Sequence, residues 1–190
     1  MNTDTYAKEL RSIFNRNAYS TLIAQVGDQL NDRKDRFDKS DIIEQAVAVY
    51  SNDRLSWVDL IGRDHVDTKT GFDLEFKYVS NGLFTKVQKL PKEFVTVKLK
   101  NSLGVHKGTT IDHPADFYMI GQQDAIAIIS WKDIKDYLVA VPDGIEARIP
   151  FDKLSFIFDF NDIDYGKALI ETDYKKIKMD AQRTLIETFL

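Results

Sequence analysis

The 190-residue chain contains no cysteine. That excludes disulfides and thiolate metal sites, and it suits the reducing cytoplasm, where this protein is expected. Histidine is scarce as well. His65, His106 and His113 are the only three, and none falls into an H-E-x-x-H or other zinc spacing. No apolar run is long enough to cross a bilayer, so no membrane association is expected. The first residues are polar and carry no secretory pattern. Internal repeats and low-complexity segments are absent too. The net charge of −4 is the opposite of what a nucleic-acid partner favours, but charge distribution counts for more than its sum. Six lysines and one acid, Glu93, fall between Lys86 and Lys107, so the rest of the chain carries more than the whole negative excess.

What is present is an ordinary globular composition, 43% hydrophobic and 12% aromatic, of a length that makes one domain the simplest organisation. Tyr6, Leu10, Ile13 and Phe14, then Leu22, Ile23 and Val26, make apolar stripes of helices over residues 4–30. A third helix is expected to start near Ser40 as N-cap, with Asp41 in its first turn and Ile42, Ile43, Ala46, Val47 and Tyr50 on its buried side. Strands are expected over Leu55–Ile61, Phe72–Val79, Phe94–Leu99, Asp116–Ile120, Ala125–Ser130, Ile145–Ile149 and Leu154–Phe158. A short helix is expected over Trp131–Leu138 and a charged one from Tyr165 to the end. The expected fold is α/β: a mixed central sheet of about five or six strands flanked by helices. Residues 1–51 would form a helical N-terminal part, 55–160 a sheet core and 165–190 a C-terminal helix of one domain, 1–190.

The most informative stretch is Gly62–Tyr78. Phe72, Leu74, Phe76 and Tyr78 alternate with Asp73, Glu75 and Lys77, which is the period of a half-buried strand. Glu75 and Lys77 then share a face, roughly 6–7 Å apart. Asp67 to Gly71 is turn chemistry, and it lets the segment carrying Asp64 fold back beside Glu75. Two carboxylates and a lysine on one sheet edge can hold a divalent metal and activate a water. A charged strand face that merely meets solvent is the plainer reading of an E-x-K taken alone.

Asp64, followed by Glu75-Phe76-Lys77, resembles the PD-(D/E)xK nuclease signature, and is most similar to type II restriction endonucleases of the PvuII kind. Gly62-Arg63, Asp64-His65-Val66-Asp67, the turn, Glu75-Phe76-Lys77, and then Ser80-Asn81 and Thr85-Lys86 carry the likeness, over about the middle third of the chain. No proline precedes Asp64, and Asp59 competes for the place of the first carboxylate. Asp64 is preferred, because it lies at the end of the apolar run and nearer the turn. The resemblance implies a restriction-endonuclease-like fold and Mg²⁺-dependent hydrolysis of phosphodiesters in double-stranded DNA, with Mn²⁺ able to substitute. Asp64, Glu75 and the Phe76 carbonyl would hold the metal, and Lys77 would orient the attacking water. Glu44, on the preceding helix, matches the place of an accessory glutamate in many members. Asp59 stays a second accessory candidate.

For DNA contact the candidates are Lys86, Lys98, Lys100, Asn101, Ser102, His106 and Lys107, a basic strand and a polar, glycine-bearing loop. A break in both strands at a palindromic site most simply needs a homodimer, for which the apolar end at Leu185, Ile186, Phe189 and Leu190 and the helical N-terminus are the nominated surfaces. Three alternatives remain beside a sequence-specific endonuclease: a phage or mobile-element nicking or homing nuclease, a non-catalytic DNA-binding module, and an interaction protein without nucleic acid.

Overall fold

Apolar residues three and four apart close three helices at the start of the chain. They are α1 (Thr3–Ile13), α2 (Arg16–Gln29) and α3 (Arg36–Tyr50). The computed structural model describes residues 1–29, 36–60, 62–101, 114–142 and 144–164. Asn2 caps α1 by accepting from the Thr5 N–H at 2.8 Å, satisfying one of the helix's orphan donors. Helix α3 begins before the expected Ser40 cap. Ser40 lies inside it and donates to Glu44 Oε1 at 2.9 Å. A serine one turn before a glutamate serves either as a cap or as this i, i+4 pair, and sequence alone does not separate the two.

The strands are β1 (Leu55–Leu60), β2 (Arg63–Asp67), β3 (Asp73–Tyr78), β4 (Phe94–Asn101), β5 (Phe117–Gln122), β6 (Ala125–Ser130), β7 (Leu138–Val141), β8 (Gly144–Pro150) and β9 (Ser155–Phe158). A one-turn helix, α4 (Trp131–Ile134), follows β6. Six strands form a mixed sheet in the order β1-β2-β3-β5-β6-β9, with β3 and β5 parallel and the other neighbours antiparallel. The protein is thus α/β, with a mixed sheet flanked by helices, as its patterning indicates.

Three points differ from the sequence reading. The 67–71 turn joins β2 to β3, because the short polar segment after Gly62, which the expected strands leave out, is itself a strand. The expected helix over 131–138 stops at Ile134 and tightens into a 3-10 turn at Lys135–Tyr137 before β7 begins. Strand β4 is in a separate sheet, β4-β8-β7. The expected C-terminal helix, 165–190, lies outside the described residues.

Two cores follow from this layering. Leu74, Phe76, Met119, Ile126, Ile128 and Phe158 pack with the N-terminal helices on one face of the large sheet. Tyr118, Ile120, Ala127 and Ile129 meet Val95, Val97, Ala147 and Ile149 of the small sheet on the other. Every residue of β5 is buried, because successive side chains fill both layers. Gly121 gives the Phe76 ring its place, since a Cβ there would stand 2.4 Å from that ring and 3.0 Å from the Tyr19 hydroxyl.

Candidate functional site

The turn between β2 and β3 sets the register of everything nearby. Asp67 Oδ1 accepts from the Lys69 and Thr70 N–H groups at 2.8 and 2.9 Å, and the Asp67 carbonyl accepts from Gly71 at 2.8 Å. Gly71 takes φ +76°, a conformation that glycine adopts without strain. The same carboxylate receives the Tyr6 hydroxyl at 2.6 Å and Arg54 Nε at 2.8 Å. Asp67 is wholly buried and fully engaged. The Arg54 guanidinium, the Tyr6 hydroxyl and the two turn amides outweigh the cost of burial and hold it down at about 2.

That hairpin pairs His65 with Leu74 and Val66 with Asp73, so one further step sets Asp64 opposite Glu75 and on the same face. Asp64 Oδ2 accepts from the Phe76 N–H at 2.7 Å. Between Trp57 and Leu60 the β1/β2 register slips, and the chain bends beside Asp64, as a bulge requires. From α3, Glu44 turns inward. Its Oε2 accepts from the Trp57 indole at 3.0 Å, and its backbone carbonyl receives the buried His65 Nε2 at 2.8 Å. A carbonyl only accepts, so His65 carries its proton on Nε2. Burial lowers the ring to about 4, leaving it neutral at pH 7.

Three carboxylates are therefore gathered in one place. Glu44 is 7%, Asp64 9% and Glu75 6% exposed. Burial first, then the nearby charges of Glu44 and Glu75, push the Asp64 carboxyl up to about 8, against the pull of the Phe76 N–H and Lys77. The Lys77 ammonium, on the same face of β3, pairs with Glu75 Oε1. Glu75 Oε2 is buried and has no hydrogen-bond partner among the described residues. A buried carboxylate oxygen left without a donor is a costly exception, and it is the kind of atom that takes a cation. The charged side of β3 is consequently not the solvated face that an isolated E-x-K suggests. The small sheet covers that side, with Tyr118 paired in register beside Glu75.

The donor set suits a hard divalent cation, being all oxygen and acidic. It is not preassembled around one: among the described residues no three His, Asp or Glu side chains stand as a ready-made cation cluster. Ser40, the Trp57 indole, the Phe76 amide and the Lys77 ammonium each hold one carboxylate oxygen.

Asp64, Glu75, Lys77 and Glu44 are thus brought together. Phe76 contributes a visible N–H to Asp64, while its ring is in the core. Lys86 is exposed on the loop after β3, and Lys98 is exposed on β4, opposite Glu146. Lys98 points away from the inner layer formed by Val95, Val97 and Leu99. Neither lysine forms an ion pair with the carboxylates among the described residues. Asp59 is a β1 residue at the bulge and Lys100 and Asn101 end β4, but their side chains are outside the described set. Ser102, His106 and Lys107 lie wholly outside it. Tyr118 escaped the sequence reading, because its strand looks uniformly apolar and only the parallel β3/β5 pairing places it next to Glu75.

No protein-family model, no curated protein and no solved structure matches this chain. Among the described residues, no helix is long and apolar enough to cross a membrane.

Proposed function

We propose that this protein is a divalent-metal-dependent endonuclease that hydrolyses phosphodiester bonds of double-stranded DNA, built on a restriction-endonuclease-like fold. The observation that carries the reading is a buried Asp64 set against the charges of both Glu44 and Glu75, with Glu75 carrying an unsatisfied buried oxygen and a lysine paired to its other one. Like charges are not assembled in a low-dielectric site unless something compensates them. The PD-(D/E)xK likeness of Asp64 and Glu75-Phe76-Lys77 supplies the substrate class.

In this reading Asp64 and Glu75 hold Mg²⁺, with Mn²⁺ able to replace it, and the Phe76 carbonyl is assigned the remaining protein contact. When bound, the ion polarises the scissile phosphate and lowers the pKa of a water. Lys77 leaves Glu75 Oε1, orients the attacking water and offsets charge gathering on the phosphate oxygens. Glu44 tunes the site from behind, since its charge helps keep Asp64 protonated until a cation enters. The water would attack phosphorus in line with the departing ester oxygen, whose bond to phosphorus breaks as the new one forms, and no bond to the protein forms.

The test is conversion of supercoiled plasmid to nicked or linear form by purified protein with Mg²⁺ or Mn²⁺, with and without a chelator, beside Glu75→Ala and Lys77→Ala. Metal-dependent cleavage lost in both variants supports the reading. Cleavage that survives both removes it. One observation favours a second reading, a non-catalytic DNA-binding module: Glu75 and Lys77 already form a closed ion pair. Salt-sensitive DNA binding without cleavage under either metal selects that module. The terminal residues nominated for a homodimer, Leu185 to Leu190, lie outside the described residues. A monomeric protein that still cuts would favour single-strand nicking.

A further inference from the structure

The segment that leaves β3 does something the active-site reading does not use. Leu83 and Phe84 are buried, and both of their N–H groups donate to Gln122 Oε1 at 3.1 Å. Gln122 Nε2 returns a bond to the Phe84 carbonyl at 3.3 Å. The Phe84 ring sits against Phe151, Phe156 and Phe160 at centroid distances of 5.3, 5.7 and 5.1 Å. Across the neck, Thr85 N–H donates to the Leu90 carbonyl at 2.9 Å, Leu90 N–H to Thr85 Oγ1 at 3.0 Å, and Lys92 N–H to the Leu83 carbonyl at 3.0 Å. Lys89, held at φ +53°, reaches Asp124 Oδ2 at 2.5 Å. The result is a small loop fixed at its base from several sides.

What the loop presents is hydrocarbon framed by positive charge. Val87, at its tip, is 91% exposed, and Leu90 is 53% exposed. With Phe94 at 50%, three of the six large exposed hydrophobics described in the protein fall within eight residues. A single exposed apolar side chain calls for no explanation, but two on one braced projection, Val87 and Leu90, with Phe94 at the start of β4 close by in sequence, do. Lys86 is exposed beside the tip and Lys92 half-buried at the neck, and neither has an ion-pair partner among the described residues. Lys89 alone is committed, to Asp124. The tip is far too small for a stable protein interface, which needs roughly 800 Å² from each side. It matches the size of the apolar wedges that enter between base steps, whose unstacking cost of a few kcal/mol demands a rigid support. It also lies at the end of β3 toward which Glu75 and Lys77 run, on the sheet face they share, since Leu83, Phe84 and Val79 belong to the core layer on that side.

We propose that the 85–90 loop is a wedge for duplex DNA, with Val87 entering a base step and Lys86 and Lys92 seated on the flanking phosphates. This rests on DNA being the substrate of the nearby site.

The probe is a short mixed-sequence duplex carrying a fluorescent adenine analogue whose emission rises on unstacking, titrated with full-length protein without divalent metal. The variants are Val87→Ser and Lys86→Ala, both at exposed positions, with thermal unfolding as the folding check. The expected result is an emission rise with the parent protein. In Val87→Ser the rise is lost and affinity falls about tenfold, at an unchanged salt slope. In Lys86→Ala the salt slope falls by about one. A parent that cleaves plasmid while Val87→Ser matches it in affinity and emission overturns the wedge and leaves the nuclease standing. A parent that binds and unstacks through Val87 yet cleaves nothing under Mg²⁺ or Mn²⁺ supports the wedge and removes the nuclease. A parent that does not bind the duplex overturns the wedge.

Discussion

Asp64 and Asp67 are the same residue type, three positions apart on one strand, and their surroundings are opposite. Asp67 receives a hydroxyl, a guanidinium and two backbone amides, and it titrates near 2. Asp64 receives one backbone amide and faces two further carboxylates, and it titrates near 8. The first is a structural joint that fixes the turn and ties the strand to α1 and to Arg54. The second is an electrostatic cost, which a protein retains where a cation or proton has business. Burial is common to both, so burial alone does not mark a site. The count of donors against neighbouring charges does.

The sharpest way to break this comparison is to neutralise each member. Asp64→Asn should cut metal-dependent plasmid cleavage by about a thousandfold or more, because a ligand and its charge both go. The thermal midpoint of the metal-free protein at pH 8 should stay level or rise, since a like charge has left the cluster. Cleavage kinetics and calorimetry on the same preparation check both halves. A large loss of stability in Asp64→Asn would erase the distinction from Asp67.

Asp67→Ala should behave in the reverse sense, losing about 3 kcal/mol of folding stability by leaving the buried Tyr6 hydroxyl without an acceptor and Arg54 with Glu9 alone. Denaturant unfolding measures it. Residual cleavage per folded molecule should persist at temperatures well below the lowered midpoint.

The two aspartates should also part company in pH. Asp64 is raised in the folded state, so the metal-free protein binds an extra proton between the ordinary carboxylate range and about 8. Its contribution to stability is present at low pH and is lost as pH rises toward 8. Asp67 is depressed, so its contribution is present above the ordinary range and is lost as pH falls toward 2. Since a metal must displace the Asp64 proton, Mn²⁺ affinity by titration calorimetry should tighten by about tenfold per pH unit below about 8 and then level. In Asp64→Asn that slope should flatten.

The smallest expected effect is on the basic outer strand. Lys98→Ala should leave folding intact and reduce the salt slope of duplex binding by about one. A slope equal to the parent's would place the DNA path elsewhere on the protein.

Much of this was legible in the chain. Alternation of Phe72, Leu74, Phe76 and Tyr78 marked the face of β3 turned to the N-terminal helices, where Leu74 and Phe76 are buried and Phe72 and Tyr78 pack against them. Val95, Val97 and Leu99 marked the inner face of β4 in the same way. The unbroken apolar run 125–129 announced a strand covered on both faces. Asp64 was preferred to Asp59 on its place beside the turn, and the β2/β3 register does set it opposite Glu75. Less accessible was β2 itself: five residues, two of them aspartates, with a single β-branched side chain, give too weak a period to separate strand from loop. The burial of Glu75 was hidden as well, since nothing local says that a second sheet will cover the charged side of β3.

By itself, then, the sequence determined the local periods, the turn at Asp67–Gly71 and which charged residues share a strand face. Those depend on residues two to four positions apart, whose geometry is set by the backbone. Tertiary structure alone decided that Glu44 joins Asp64 and Glu75, that Tyr118 flanks them, that the Asp67 charge is met by Arg54 while the Asp64 carboxyl faces other carboxylates, and that β4 leaves the central sheet. Each of these depends on which distant strand or helix packs alongside. An aspartate's titration follows from the donors and charges that such packing delivers, and the same three letters of sequence carry either outcome.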